Sequence, residues 1–442
     1  MMNGSASGLK SEGYLRLRDD IELIMRGDHV LLYDLTPFSS PTVIFILPWE
    51  ACALLLLSLG EVEATRCAAK IFDLPLKSSI EFVKRVKDKF SKYLEPGKGR
   101  IDWGKVEEIL KRRPPIHYRL TAPIGLTWLV TPKCHSRCIF CCVESNWQEN
   151  SGMLSVDQLE GIFLQAKSMG VKTITVSGGE PLLREDLPQI LRMLTEEGFR
   201  VDLSTRYPLK EHKVKMLAEA GLKAIQISID SHRSSILSLL SGGRIRSADP
   251  YFQAIKELRE NGISVHVNII LTHYNIRDVP ELAGELLSIG VERITFSRYR
   301  RGLNNSDESL FPSLDELKEL EEKIGINLDG SDRTICSGGR THLVLRGDGK
   351  VSICDRLCHD RRFILGNLKS RSLKEIWDML LETSLLSPDR ELFKNTPCYE
   401  CGGFDECRSR GFCYLNSFIC HGTPFAPDHL GPMCPSSPVR LM

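Results

Sequence analysis

The chain lacks any long hydrophobic run. No apolar stretch approaches the roughly 18 residues that span a bilayer. The longest, 43–47 and 51–59, are parted by Pro48 and Glu50. It also lacks an excess of either charge: 58 Lys and Arg face 57 Asp and Glu, for a net charge of +1. That balance gives no global pull toward nucleic acid or an anionic membrane. The first ten residues are small and polar with no apolar h-region, so no signal peptide is expected and a cytoplasmic location is. Internal repeats and low-complexity tracts are missing too. With 42% hydrophobic and 26% charged residues, wholesale disorder is excluded. At about 150 residues per domain, a chain of 442 residues suggests about three domains.

Cysteine is what the chain has in excess, with 15. A disulfide framework needs an oxidising compartment, and nothing in the sequence directs the chain to one. Iron–sulfur or zinc ligation is the better reading. Cys52 and Cys67 lie early, four cysteines fall in 134–142, and nine fall in 336–434.

Strand-like runs at 14–18, 21–25 and 30–35 precede helical patterns at 49–59, 63–72 and 77–93. Residues 14–95 thus read as a winged-helix-like α+β domain. Residues 96–122 read as a linker carrying a short helix at 103–112 and closed by Pro114-Pro115. From 123 to 303, strand candidates at 125–131, 173–177, 200–204, 224–229, 264–271 and 293–297 alternate with helical patterns. Six β/α units predict an α/β domain built on a parallel sheet or a partial TIM-like barrel, with its chemistry at the C-terminal strand ends. Residues 304–335 bridge to a cysteine-rich domain, 336–442, with little periodicity. Metal ligation is expected to replace much of the hydrophobic core there.

The tightest motif is Cys134-x3-Cys138-x2-Cys141, directly after the first barrel strand. Three thiolates on one loop suit a cubane cluster with one iron left open. A zinc knuckle would instead close with a fourth ligand, Cys142 or His135. The surrounding β/α pattern favours the cluster. Downstream, Ser177-Gly178-Gly179-Glu180-Pro181 ends the second strand. Its glycines let backbone approach a ligand, and Glu180 can accept from an ammonium group.

These motifs, with Phe140 before the third cysteine, resemble the radical S-adenosylmethionine (SAM) superfamily. The resemblance implies that Cys134, Cys138 and Cys141 hold a 4Fe-4S cluster that binds SAM. It implies that Ser177 to Pro181 hold the methionine amino group. It also implies that Ser204, Thr205, Ser228 and Asp230, with Asn268 similar in kind, meet ribose and carboxylate. Cys142 departs from the pattern, as a spare thiol or one that exchanges with Cys141. The implied chemistry is reductive cleavage of SAM to a 5′-deoxyadenosyl radical, which abstracts hydrogen from carbon.

Cys336, the Gly349-x4-Cys354 unit and the run Cys398-x2-Cys401-x5-Cys407-x5-Cys413, then Cys434, resemble the SPASM extension of that superfamily. The resemblance implies two auxiliary 4Fe-4S clusters. Cys336, Cys354 and Cys413 would bind one; Cys398, Cys401, Cys407 and Cys434 would bind the other. The last gap of the run is longer than the usual pattern. The first cluster's fourth ligand is either Cys358 or an open site, and Cys420 is unplaced. Paired structural zinc sites are the alternative. Asp355, directly after Cys354, matches the place of a catalytic base in relatives that mature sulfatases.

A winged-helix-like unit ahead of such a core resembles peptide maturases whose N-terminal domain is PqqD-like and binds a leader. The leader would add as a strand to the free edge of a three-stranded sheet. Lys84, Arg85, Lys87 and Lys89 would then meet acidic leader residues. DNA binding is disfavoured, because residues 1–112 hold 17 Lys and Arg against 16 Asp and Glu. The expected activity is thioether formation on a ribosomal precursor peptide. A flavodoxin- or ferredoxin-type electron donor is implied, and neither nucleic acid nor membrane is an expected partner. Carbon–carbon cross-linking, backbone excision and epimerisation are alternatives. An iron–sulfur redox sensor with a winged-helix output is the alternative from another class.

Overall fold

The structure is a computed structural model. It describes residues 14–36, 38, 43–112, 119–141, 152–302, 307–326, 328, 336–380, 383, 388–405, 407 and 412–427. Cys142 and Cys434, named from the sequence, lie outside the described residues. The chain forms two compact units, residues 1–121 and 122–442.

In the first unit, β1 (Leu15–Leu17), β2 (Ile21–Arg26), β3 (His29–Asp34) and β4 (Val43–Ile46) lead into α1 (Pro48–Leu56), α2 (Glu61–Ile71) and α3 (Leu76–Lys89). Then come β5 (Leu94–Pro96) and α4 (Trp103–Leu110). The three-stranded antiparallel sheet runs β2-β3-β4. The first predicted strand is not part of it. β1 pairs instead with β5, Leu15 opposite Pro96 and Leu17 opposite Leu94, and β4 takes the third place. The helix assigned to the linker also belongs elsewhere. Val106 and Ile109 of α4 are buried in one core with Leu23, Leu32, Leu54, Leu56 and Val83. The apolar spacing of α4 gives it a face to bury, and the first unit supplies the partner.

The second unit contains β6 (Gly125–Leu129), α5 (Val156–Ser168), β7 (Thr173–Ser177), α6 (Leu187–Glu196), β8 (Arg200–Thr205), α7 (Glu211–Glu219) and β9 (Ala224–Ser228). It continues through α8 (Ser234–Leu240), α9 (Asp249–Glu260), β10 (Ser264–Leu271), α10 (Val279–Ser288), β11 (Arg293–Arg298) and α11 (Leu314–Ile324). Strands β6 to β11 lie side by side in sequence order and are parallel throughout. The near-continuous burial of β6 to β9 is what a sheet covered by helices requires. Trp128 of β6 is fully buried and meets Phe163 of α5 edge to face, 5.7 Å between centroids.

The cysteine-rich segment continues this sheet. β12 (His342–Arg346) runs parallel to β6, and β13 (Lys350–Ser352) and β14 (Ile364–Asn367) follow antiparallel, making nine strands in all. α12 (Leu373–Met379) and α13 (Tyr414–His421) complete the described part. The expectation that metal would stand in for a core here is corrected. Trp377, Phe363 and Phe393 are fully buried. Phe393 packs edge to face on Phe404, Phe412 and Phe425, so rings cluster among the cysteines.

Candidate active site

β6 and β7 are zipped together past their ends. Ser177 carbonyl accepts from Val130 N–H at 2.9 Å, Thr131 carbonyl from Gly179 N–H at 2.8 Å, and Lys133 carbonyl from Glu180 N–H at 2.7 Å. The cysteine loop and the Gly178-Gly179-Glu180 loop are therefore one backbone construction. A Cβ on Gly179 would stand 2.2 Å from the Lys133 carbonyl oxygen, and Gly178 holds φ of +126°. Glycine is required at both places by close approach and by backbone angle. Across the loop, Arg137 N–H and Ile139 N–H donate to the carbonyls of Ser241 and Leu240 at 3.1 and 3.0 Å, at the end of α8. Gly242 lets the chains meet there, since its Cβ would fall 2.3 Å from the Arg137 carbonyl oxygen.

Cys134 and Cys141 are exposed, and Cys138 is half-buried. Ser136 Oγ stands between two of the sulfurs, 3.5 Å from Cys134 Sγ and 3.4 Å from Cys138 Sγ. Ser136 Oγ is thus within reach of the first two sulfurs of a loop whose cysteines are spaced x3 and x2. Among the described residues no three His, Cys, Asp or Glu side chains gather tightly enough for a single metal ion. A cube that takes one thiolate at each of three irons fits this spacing better than a tetrahedral zinc. His135 is half-buried, and both its ring nitrogens are shielded from solvent with no hydrogen bond among the described residues. Its ring lies edge-on to Tyr207, with centroids 5.2 Å apart.

Glu180 is 1% exposed. Its Oε1 accepts from Thr205 Oγ1 at 2.6 Å and Leu182 N–H at 3.2 Å, and its Oε2 from Arg206 N–H at 3.1 Å. Burial still pushes its carboxyl upward, and burial pushes neighbouring His135 downward. A carboxylate has about four acceptor positions. Three are filled from within the chain, and His135 Nδ1 stands 4.0 Å from Oε2. The arrangement fits a ligand ammonium as one further partner.

The remaining sequence-named residues lie along the same strand ends. Pro181 is buried and opens a short 3-10 turn. Ser204 and Ser228, at the ends of β8 and β9, are half-buried. Thr205 is committed to Glu180 and receives Tyr207 N–H at 2.9 Å. Asp230 is fully buried, accepting from Ile270 N–H at 2.9 Å and from Arg206 Nη1. Asn268 Oδ1 accepts from Ser297 Oγ at 2.7 Å. Arg206, which directly follows Ser204 and Thr205, is not among the residues named from the sequence. Its tie to Asp230 spans 24 residues, which no local pattern signals.

In the cysteine-rich segment, Gly338 lies against the Ile353 carbonyl, where a Cβ would also sit 3.6 Å from Cys336 Sγ. Cys336 and Cys354 are thereby brought to one place. Burial raises the Cys354 thiol well above its usual range. Asp355 Oδ1 accepts from Arg356 N–H at 2.9 Å and lies 3.6 Å from Cys354 Sγ. Cys358 is fully buried with Leu129 and Val344, its Sγ is 2.9 Å from the Asp355 carbonyl oxygen, and burial pushes its thiol up to about 12. Cys398 and Cys401 share a turn, with Cys401 N–H donating to the Cys398 carbonyl at 3.2 Å, and Cys407 N–H reaches the Gly403 carbonyl at 3.0 Å. Cys413 caps α13, and Cys420 is exposed near its end.

The radical SAM superfamily pattern matches residues 128–286, and SPASM, an iron–sulfur cluster-binding domain, matches residues 336–402. The chain carries a radical SAM domain followed by a SPASM domain. The first marks an enzyme and binds a 4Fe-4S cluster and SAM; the second binds auxiliary iron–sulfur clusters. A probable GTP 3′,8-cyclase of Methanococcus maripaludis strain C7 is 28% identical over 205 residues, 45% of this chain and 65% of the cyclase. The mycofactocin maturase MftC of Mycolicibacterium smegmatis is 24% identical over 324 residues, 68% of this chain and 80% of the maturase. Streptococcus suis SuiB, solved with SAM bound, aligns with a TM-score of 0.62 at 19% identity, covering 95% of this chain and 100% of SuiB. SuiB has also been solved bound to its precursor peptide SuiA, with the same TM-score of 0.62. The radical SAM and SPASM chain thus shares the fold of SuiB.

Proposed function

We propose that this chain is a radical SAM maturase of a ribosomally made precursor peptide. The observation that carries the reading is the fusion of the Cys134–Cys141 loop to the Gly178-Gly179-Glu180 loop at one set of strand ends, within a chain that resembles SuiB over 95% of its length. Cys134, Cys138 and Cys141 hold the 4Fe-4S cluster, and residues 177–181 with Ser204 and Ser228 receive SAM. Thr205 and Asp230 act from behind, through Glu180 and Arg206. Cys336, Cys354, Cys398, Cys401, Cys407, Cys413 and Cys434 hold two auxiliary clusters. When bound, these groups supply the acceptor for a hydrogen atom and the acceptor for an electron.

The chain's own residues orient and exclude. Gly178 and Gly179 let their loop pack against the backbone of Thr131 and Lys133, the buried Glu180 fixes a ligand's ammonium, and Asp355 stands ready to take a proton beside Cys354. The reaction is thioether formation: the peptide loses one C–H and one S–H and gains one C–S bond. The first unit, PqqD-like in this reading, takes the leader along a sheet edge. Lys87 and Lys89 are already paired with Glu61 and Glu50, each at 2.7 Å. Lys84 and Arg85 remain the candidates for meeting acidic leader residues. The enzyme is cytoplasmic and draws electrons from a flavodoxin- or ferredoxin-type donor. Among the described residues no helix is long and apolar enough to cross a membrane.

The test is anaerobic incubation of reconstituted protein, SAM and reductant with a precursor peptide encoded beside this gene, followed by mass spectrometry. A loss of two hydrogens that is prevented by blocking the peptide's thiols supports the thioether. The same loss with blocked thiols indicates a carbon–carbon bond, unchanged mass with solvent deuterium indicates epimerisation, and a large loss indicates excision. Specific DNA binding without SAM cleavage would overturn the maturase reading.

A further inference from the structure

Arg206 sits where three pieces of the site meet. Its guanidinium lies over the ring of Phe140, 5.1 Å from the centroid, and Phe140 stands between Cys138 and Cys141 in the sequence. Its Nη1 donates to the fully buried Asp230, its backbone N–H donates to Glu180, and its carbonyl accepts from Tyr251 Oη at 2.7 Å. Phe140 is itself packed on Leu240, Tyr299 and Leu310, with Cys138 and Ile139 against them. The end of β8 therefore presses a cation onto the turn that carries two of the three cysteines.

We infer that Arg206 and Asp230 form a balanced charge pair that sets the reduction potential of the cluster on this loop. The inference rests on the assignment of Cys134, Cys138 and Cys141 as its ligands. An electron added to the cluster increases its negative charge. A cation at Phe140 favours the reduced form, and a carboxylate behind it opposes this. In a buried, weakly screened place each charge acts strongly, and nearby charge is one of the levers that tune iron–sulfur potentials. A guanidinium keeps its proton at any working pH, and its contact with the buried Asp230 favours the charged form, so Arg206 is cationic. The two residues should therefore move the potential in opposite directions. Arg206 acts on the cluster through Phe140 and through space, so it is a positioning residue.

The experiment is redox titration of the reconstituted full-length protein, followed by the EPR signal of the reduced SAM-binding cluster. To isolate that signal, Cys336, Cys354, Cys398 and Cys401 are replaced by alanine in every sample. Arg206→Met leaves Asp230 unbalanced and should disfavour reduction at least tenfold, a drop of about 59 mV for one electron. Asp230→Asn keeps an acceptor for Ile270 N–H, leaves Arg206 unbalanced, and should raise the potential by a similar factor. Arg206→Lys keeps the charge and should stay near the parent value. If Arg206→Met fails to fold, the contrast between Asp230→Asn and Arg206→Lys carries the test. Shifts of the same sign, or none, in proteins that hold the cluster would overturn the charge-pair inference alone. Loss of the EPR signal in the parent that keeps Cys134, Cys138 and Cys141 would overturn the ligand assignment with it.

Discussion

Glu180 receives three hydrogen bonds from its own chain while buried at 1% exposure. Glutamine there can accept at one atom only, and its amide would point a donor at another donor. A donor–donor clash and an unsatisfied buried N–H cost about 1–3 kcal/mol. We therefore expect Glu180→Gln to weaken SAM binding at least tenfold, measured by anaerobic equilibrium dialysis, while iron content stays unchanged. Equal loss of iron and of SAM would show that Glu180 serves the loop's folding alone. Gly179 gives a second test at the same scale. Its missing Cβ is what lets Lys133 carbonyl pass at 2.2 Å from that position. Gly179→Ala must push the cysteine loop away, an overpacking cost of about 1–3 kcal/mol. Both the Tm of the cluster-free chain and the iron bound per chain should fall; an unchanged iron content would contradict the fused-loop description. The glycines and cysteines were legible in the sequence because each is tied to its neighbours within a few residues. The Arg206–Asp230 pair was not, since only the adjacency of β8 and β9 joins them.

At the scale of elements, the parallel strands were the easiest to read. Thr173–Ser177 and Ser264–Leu271 are apolar runs bounded by glycine or polar turns, and the structure keeps those bounds. Short strands were hidden. Lys350–Ser352 and Leu94–Pro96 are three residues each, too short for alternation to show. β12 was missed for another reason: its partner is β6, more than two hundred residues earlier. Their seam carries a pH signature. His342 lies opposite Gly125, whose missing Cβ leaves room for the imidazole ring, and burial lowers its pKa to about 4. His359 is lowered to about 4 by the same cause. In the unfolded chain these rings bind protons below about 6.5. Between there and pH 4 the unfolded state binds more protons, so stability falls as pH drops through that window and levels off below it. Each ring contributes on the order of 3 kcal/mol at most. His342→Leu should flatten the fall in Tm between pH 6.5 and 4. An unchanged slope would mean that the ring is hydrated.

At the scale of the whole chain, the two units divide the work that the proposed function needs. The first holds Cys52 and Cys67 and none of the cysteines assigned to clusters. Burial pushes the Cys52 thiol up to about 12, as expected of a small core residue rather than a ligand. Substitutions on the first unit's surface should therefore affect peptide capture without touching SAM cleavage. Lys84 and Arg85 are exposed on α3. Reversing both, as Lys84→Glu with Arg85→Glu in the full-length chain, should lower affinity for an acidic leader about tenfold, or 1.4 kcal/mol. The difference should shrink as salt screens the charges. Fluorescence anisotropy of a labelled leader reads the affinity, and deoxyadenosine release without peptide reads the core chemistry. If the double variant binds the leader as tightly as the parent, the basic face of α3 has no part in recognition. If affinity and deoxyadenosine release fall together in a variant that keeps the parent's Tm and iron content, the division of labour between the units is refuted.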